Sequence, residues 1–419
     1  MDKILISHNK HWNKKYTSLY KRDLFQKLVK NLPIKHIQVL QGIRRSGKST
    51  LFKLLINHCM TLSNPKEILY INLEDPFFIN YSNDPAKLYE IVETAQKLTG
   101  KKIKYLFLDE VQAIVGWEKY VKVVYDNEEF EKIFVTGSNS SLLNSEFARL
   151  LTGRYMSDMV YPLSFSEILS INGIVSYFEL IENRPKVLGI VDTMLKYGSF
   201  VEVFDNKDEF KRDIISTYYD TIILKDCVTN NAIRDIKSFK ELSYYLVSNI
   251  TSLYSYNSLA KAVGIHDKSS KEYVQYLQDA YLLSELKQFS YSLKEQQNNK
   301  KKPYLIDNGF INLSFKFSLN SGAVLENLVF SELHKLKKEL YFYNKGFECD
   351  FIIKNDDNTF EAIQVCYELN DQNQKRETGG LKKIEKFIKV AAKTIITYNQ
   401  EETIEDIKIV PFWKFFSKV

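Results

Sequence analysis

The sequence predicts an α/β fold: a parallel sheet flanked by helices, then a helical region, then a second α/β domain. Three observations predict it. Strand-length apolar runs (Ile37 to Leu40, Glu67 to Leu73, Tyr105 to Leu108, Lys132 to Thr136) alternate with longer stretches of helical periodicity, the pattern of βαβ units. After Pro162 that pattern stops, and apolar residues recur at i, i+3 and i+4 as far as Leu286. Strand-like runs return from Leu305.

The first strand leads into GIRRSGKST, which opens directly into an amphipathic helical pattern. Gly42, Gly47, Lys48 and Ser49 have the spacing of a phosphate-binding loop, in the strand–loop–helix context that motif requires. Wrapping a polyphosphate takes successive backbone N–H groups, so glycine is needed where the loop turns and where phosphate approaches the chain. Lys48 is expected to reach the β/γ-phosphates, Ser49 to ligate Mg²⁺, and Thr50 to start the helix. Ser46 completes the cradle. Arg44 and Arg45 either contact phosphate or a facing domain, or are solvated.

YLFLDEVQ places Asp109 and Glu110 at the end of a strand. A phosphate-loop enzyme needs a carboxylate there for Mg²⁺ and a water-orienting acid beside it, and these two residues fill the roles in that order. The next strand ends in TGSNSS, bringing Thr136, Ser138 and Asn139 to the same sheet edge, either as γ-phosphate sensors or as an ordinary polar turn. Beyond it, SLLNSEFARLLTGRY carries Arg149 and Arg154. An arginine offsetting γ-phosphate charge, in the same subunit or a neighbouring one, would speed hydrolysis, and Arg154 after Gly153 is the better candidate. A helix cap with surface cations is the alternative.

The 419 residues carry a formal charge of +6 and are 44% hydrophobic, enough for two to three domains. No run approaches the length of a membrane span, and the N-terminal stretch lacks the apolar core of a secretory signal. Four scattered cysteines argue against a disulfide framework or zinc site, so a cytoplasmic protein is expected. The mild positive charge permits a nucleic-acid partner without requiring one.

Within the helical region, NSLAKAVGIHDKSSKEYVQYLQDAYLLSEL has a helix–turn–helix layout with Gly264 at the turn. A hairpin with a basic tip follows, so the segment reads as a winged helix. Lys268, Lys271 and Tyr273 lie on its second helix and Lys294, Lys300, Lys301 and Lys302 at the wing tip, facing either DNA or a protein. Further on, Glu326 on a helix and Asp350 on a strand stand where a metal-dependent nuclease places its first two Mg²⁺ ligands. The third place, expected to read Glu-x-Lys, is Gln364-Val365-Cys366.

As a set, GIRRSGKST, YINLEDP, YLFLDEVQ, VTGSNSSLL, LTGRY, PLSFSEIL, YLIDNGF, LENLVFSEL, ECDFIIK and IQVCYEL resemble the bacterial and archaeal P-loop ATPases with an AAA-type core and a C-terminal restriction-endonuclease-like domain. The resemblance runs from about Tyr20 to the end. It implies ATP and Mg²⁺ at Gly42 to Thr50 and Asp109, Glu110 as catalytic acid, a winged-helix region, and a nuclease-like fold that has lost its usual signature. The expected domains are 1–165 (ATPase), 166–303 (helical, with the winged helix) and 304–419 (nuclease-like). The expected function is ATP hydrolysis that rearranges the C-terminal domains. The alternatives are an ATP-gated binding switch with little turnover and an ATP-regulated, Mg²⁺-dependent nuclease. Partners these features allow are double-stranded DNA, a protein, or further copies of the chain, with no membrane partner.

Overall fold

The computed structural model describes residues 1–140, 149–314 and 320–419. The chain divides into two units, Met1–Tyr161 and Pro162–Val419. In the first, the four apolar runs become β1 (Ile37–Gln41), β2 (Ile68–Asn72), β3 (Tyr105–Asp109) and β4 (Lys132–Gly137), and Tyr155–Met159 adds β5. They pair in parallel in the order β2-β3-β4-β1-β5. Helices α1 (Asp2–His8) and α2 (Asp23–Lys30) precede β1, and helices cover both faces of the sheet, which is why the central strands read as unbroken apolar runs. Val39, Leu106 and Val135 pack toward α4 (Lys87–Thr99) and α5 (Trp117–Asp126), while Leu40, Phe107 and Phe134 pack toward α3 (Lys48–Cys59). One stripe of α5 belongs to the core, with Trp117, Tyr120, Val121 and Val124 buried.

β2 is an edge strand, and the N-terminal segment covers it. The Asn9 side chain donates to the Tyr70 carbonyl at 3.0 Å and accepts from the Tyr70 N–H at 2.7 Å, mimicking a neighbouring strand. His11 and Trp12 both donate to the Ile68 carbonyl, at 3.0 and 2.9 Å.

The second unit opens with helices between Phe165 and Asp279. The helix–turn–helix pair is Tyr256–Val263 and Asp267–Asp279, joined at Gly264 with φ +77°. Then come β6 (Leu283–Gln288), β7 (Lys301–Leu305), β8 (Glu339–Asn344), β9 (Glu348–Lys354), β10 (Phe360–Val365), β11 (Val390–Thr397), β12 (Glu402–Ile404) and β13 (Ile407–Pro411). They form one mixed sheet in the order β12-β13-β11-β10-β9-β8-β6-β7. The hairpin read as a wing is therefore the edge of this sheet, with β6 pairing in parallel with β8. Period-two alternation splits β10 between two cores. Ile363 and Val365 pack with the helix Ser321–Lys335, and Phe360 and Ala362 with the helix Gln374–Ile384.

Burial holds the His11 pKa down to about 4 from an ordinary 6.5. The folded ring takes a proton less readily than the unfolded one, so the stability it contributes is complete above pH 6.5 and is lost as pH falls toward 4. The stability advantage of wild type over His11→Gln, measured by chemical denaturation, should shrink by about 1–3 kcal/mol across that window. A difference independent of pH would contradict this placement of His11.

Candidate functional site

β1 delivers the chain to a loop whose backbone explains its glycines. Gly42 has φ +147°, and a Cβ there would lie 2.1 Å from the Val160 carbonyl oxygen. Gly47 has φ +97° and stands as N-cap of α3, which no side chain caps. The first N–H groups of that helix, and its positive dipole end, are thus presented to an anion. Arg45, exposed, takes φ +68° within the same turn. Arg22 braces the loop from behind, donating to the Ser46 carbonyl at 3.0 Å and the Tyr161 carbonyl at 2.7 Å. The Ser46 hydroxyl is buried with no hydrogen-bond partner. Lys48 is buried, and its ammonium donates to the carbonyls of Gly42 at 2.9 Å and Ile43 at 3.2 Å. Those two carbonyls hold the cation over the loop until a stronger acceptor arrives.

The carboxyl ends of β3 and β4 meet this loop. Asp109 is 2% exposed and receives a hydrogen bond from Tyr70 at 2.7 Å and others from the Thr136 and Ser49 hydroxyls. Burial first, and the neighbouring Glu110 charge second, push its pKa above the usual carboxylate range. It pairs with no cation among the described residues. A buried carboxylate surrounded by neutral donors, touching the loop serine, suits a hard divalent cation. Glu110 takes a left-handed backbone, φ +55°, fixed by its N–H donating 2.9 Å to Thr136 Oγ1. Its carboxylate lies 3.8 Å from the Lys48 ammonium and accepts from Gln112 Nε2 at 2.6 Å. Gln112 also reaches the buried Ser138 hydroxyl at 3.4 Å, and its own Oε1 is buried without a partner.

The structure thus brings together Gly42, Ser46, Gly47, Lys48, Ser49, Asp109, Glu110, Thr136 and Ser138, with Thr50 in the first turn of α3. Arg44 lies elsewhere in the network, held by Glu74 through paired bonds of 3.1 and 3.2 Å. Arg154 requires a correction. Its carbonyl pairs with the N–H of Ile37, at the start of β1, so it sits at the amino edge of the sheet, opposite the loop. There its side chain donates to Asp126 at 2.9 Å, which removes it from its own subunit's site. Arg149 is exposed, and Ser141 to Ala148, part of the stretch expected to carry it, lie outside the described residues. Tyr70 and the Arg22 brace carry no sequence signal because each acts across tens of residues, and Gln112, although two residues from Glu110, meets it only through the left-handed turn at Glu110.

In the second unit, Glu326, Asp350, Gln364 and Cys366 line one cavity of about 540 Å³. Lys302, expected at an exposed tip, is 2% exposed and points into it. Lys301 is likewise buried, so neither is free for surface contacts. The Lys302 ammonium lies 3.1 Å from Glu326, 3.1 Å from Asp350 and 3.0 Å from Glu348. Gln364 accepts from the Asp350 N–H at 3.3 Å and donates to Glu377 at 2.9 Å. Cys366 turns its sulfur to the Glu368 carbonyl at 3.1 Å, and burial pushes its thiol pKa up to about 11.

The parallel sheet, the glycine loop and the acid pair at its carboxyl edge define an AAA-type P-loop protein, and the AAA domain family matches residues 35–169. Two further families match downstream, Domain of unknown function (DUF8612) at 190–320 and Domain of unknown function (DUF4143) at 321–415. The chain belongs to the same family as the uncharacterized protein MJ1544 of Methanocaldococcus jannaschii, with 36% identity over 96% of this chain and 92% of that protein. An uncharacterized protein of Haemophilus influenzae is 28% identical over 93% of this chain and 96% of its own length. AMPPCP-bound DnaA from Aquifex aeolicus is loosely similar, with a TM-score of 0.29 and 14% identity over 64% of this chain and 92% of that one. A likeness that loose does not make the folds equivalent. The boundary between the last two families, 320/321, does not divide the sheet, since β6 and β7 precede it and β8 follows.

The Gly42 geometry carries a prediction. Gly42→Ala should cost about 2 kcal/mol or more and weaken nucleotide binding, because the methyl meets the Val160 carbonyl in a strained backbone region. Wild-type melting and wild-type ATP affinity in the variant would refute the loop geometry.

Proposed function

We propose that the first unit binds and hydrolyses Mg-ATP, and that hydrolysis rearranges the C-terminal region. The observation that carries this is the convergence of Lys48, Ser49, Asp109 and Glu110 at one sheet edge, with Asp109 buried and balanced by no cation among the described residues. Ser49 and Asp109 would hold Mg²⁺, which when bound offsets charge on the β/γ-phosphates. Lys48 exchanges its two loop carbonyls for phosphate oxygens. Glu110, held by Gln112 and by its own strained backbone, orients water and takes its proton as the water oxygen bonds to the γ-phosphorus. The bond from that phosphorus to the bridging oxygen breaks, leaving ADP and phosphate.

With Arg154 bound to Asp126 at the far edge, the reading places the γ-phosphate arginine on a neighbouring copy. Homo-oligomerisation is thus part of the proposal for fast turnover. The partner is either double-stranded DNA or another protein. The helix Asp267–Asp279 supports a DNA reading modestly, since Lys268 and Lys271 are exposed there, while Lys301 and Lys302 are not available to it. Among the described residues no helix is long and apolar enough to cross a membrane.

Two variants separate binding from chemistry. Lys48→Ala should abolish ATP binding in a titration. Glu110→Gln should bind ATP with near wild-type affinity and hydrolyse it about 10²–10⁴-fold more slowly. Normal turnover in Glu110→Gln would remove that residue from the mechanism. Stimulation of hydrolysis by duplex DNA that fades as salt rises would favour DNA over a protein partner.

A further inference from the structure

The cavity of the second unit gathers three carboxylates, the donor type a divalent metal takes, and their arrangement does not fit one. Three carboxylates, from Glu326, Glu348 and Asp350, surround a point that a lysine ammonium already fills at 3.0–3.1 Å. That spacing suits N–H···O bonds, whereas Mg²⁺ needs oxygens at about 2.0–2.1 Å and Ca²⁺ at about 2.3–2.6 Å. Among the described residues no group of three or more His, Cys, Asp or Glu side chains is placed to hold a metal ion. The further acid expected on β10 is Gln364, whose amide joins Asp350 to Glu377 and offers no charge.

We propose that Lys302 is the resident cation of this pocket, a tethered replacement for a divalent metal, and that the cavity binds the phosphodiester backbone of nucleic acid without cutting it. Three bare carboxylates would repel a phosphate, and in a metal-dependent site the metal removes that repulsion. Here Lys302 offsets one of the three charges without an ion from solution, and the Tyr304 hydroxyl donates to Glu326. The rim supplies attraction. Lys375 and Lys383 lie on the helix Gln374–Ile384, both exposed, both lining the cavity, and neither with an ion-pair partner among the described residues. Arg376 beside them is tied to Glu377. Gly379 and Gly380 keep the helix face between the lysines open, and Gly380 lets the helix close to the Glu348 carbonyl, which a Cβ would meet at 2.0 Å. Phe347 also lines the cavity and is stacked on Tyr343 with ring centroids 4.7 Å apart, a platform of the kind on which a base can stack. No residue of the first unit enters this proposal, so it stands or falls apart from the ATPase reading.

The test uses the full chain without nucleotide. Mn²⁺ binding is followed by electron paramagnetic resonance, and binding of a labelled single-stranded oligodeoxynucleotide by fluorescence anisotropy. Asp350→Asn should leave the Mn²⁺ binding of the wild type unchanged. Lys302→Ala should gain one bound Mn²⁺ per chain, and the double variant Lys302→Ala/Asp350→Asn should lose it. Oligonucleotide affinity should agree within about twofold between EDTA and Mg²⁺. It should fall about tenfold or more in Lys375→Glu/Lys383→Glu. That surface pair leaves the buried cluster intact, so its result stands whether or not Lys302→Ala folds. Wild-type Mn²⁺ binding that disappears in Asp350→Asn would overturn the proposal. So would binding that requires Mg²⁺, cleavage of the oligonucleotide, or indifference to the lysine pair.

Discussion

The first unit depends on one interaction, the burial of the Asp109 carboxylate among hydroxyl groups, with no cation paired to it among the described residues. Taking a carboxylate out of water is costly, and neutral donors recover only part of that cost. The donors come from Tyr70 on β2, Thr136 on β4 and Ser49 at the head of α3, so their meeting requires β2, β3 and β4 to lie parallel, with the glycine loop closed against them. Parallel pairing in register, such as Asn72 with Asp109 and Leu108 with Val135, brings the carboxyl ends to one edge. The clamp of Asn9 on Tyr70 then reads as support for a functional residue as well as cover for an edge strand.

The second unit treats buried acids differently. Lys302 satisfies three carboxylates at once, and Tyr304 donates to Glu326 at 2.5 Å from the same strand. Burial, then the charge of Asp350, pushes Glu326 up to about 8, and the ammonium of Lys302 acts against both. Breaking a buried ion pair by deleting one partner typically costs about 3–5 kcal/mol, so this cluster constrains the sheet edge as well as shaping the cavity. The two sites therefore contrast in one respect. Asp109 is left with charge to be balanced from outside, whereas the Lys302 cluster carries a cation of its own.

How far the sequence made this visible follows from the range of each interaction. The loop, the Asp109-Glu110 pair and β1 to β4 are legible because each is a local pattern with a local physical reason. For Arg154 the sequence shows a cation after Gly153 but not that a fifth parallel strand begins beside it, and that strand takes it away from its own subunit's site. A residue that precedes a parallel strand sits at the amino edge, and Arg154 immediately precedes β5. Lys302 was hidden in the run Lys300 to Lys302, which reads as a solvated tip. Only the pairing of β7 with β6, Lys302 opposite Leu286, fixes which way that side chain points. Glu326 and Asp350 were found from the sequence, whereas Glu348 and Glu377 carry no signal short of the fold.

The most direct test of the central claim is calorimetric titration of ATP into the wild type and Asp109→Asn, each with Mg²⁺ and with EDTA. A carboxylate whose charge awaits a divalent cation predicts that Mg²⁺ tightens binding by about tenfold or more in the wild type and that the gain vanishes in Asp109→Asn. Equal affinity with and without Mg²⁺ in the wild type, or a gain that survives the substitution, would contradict the account.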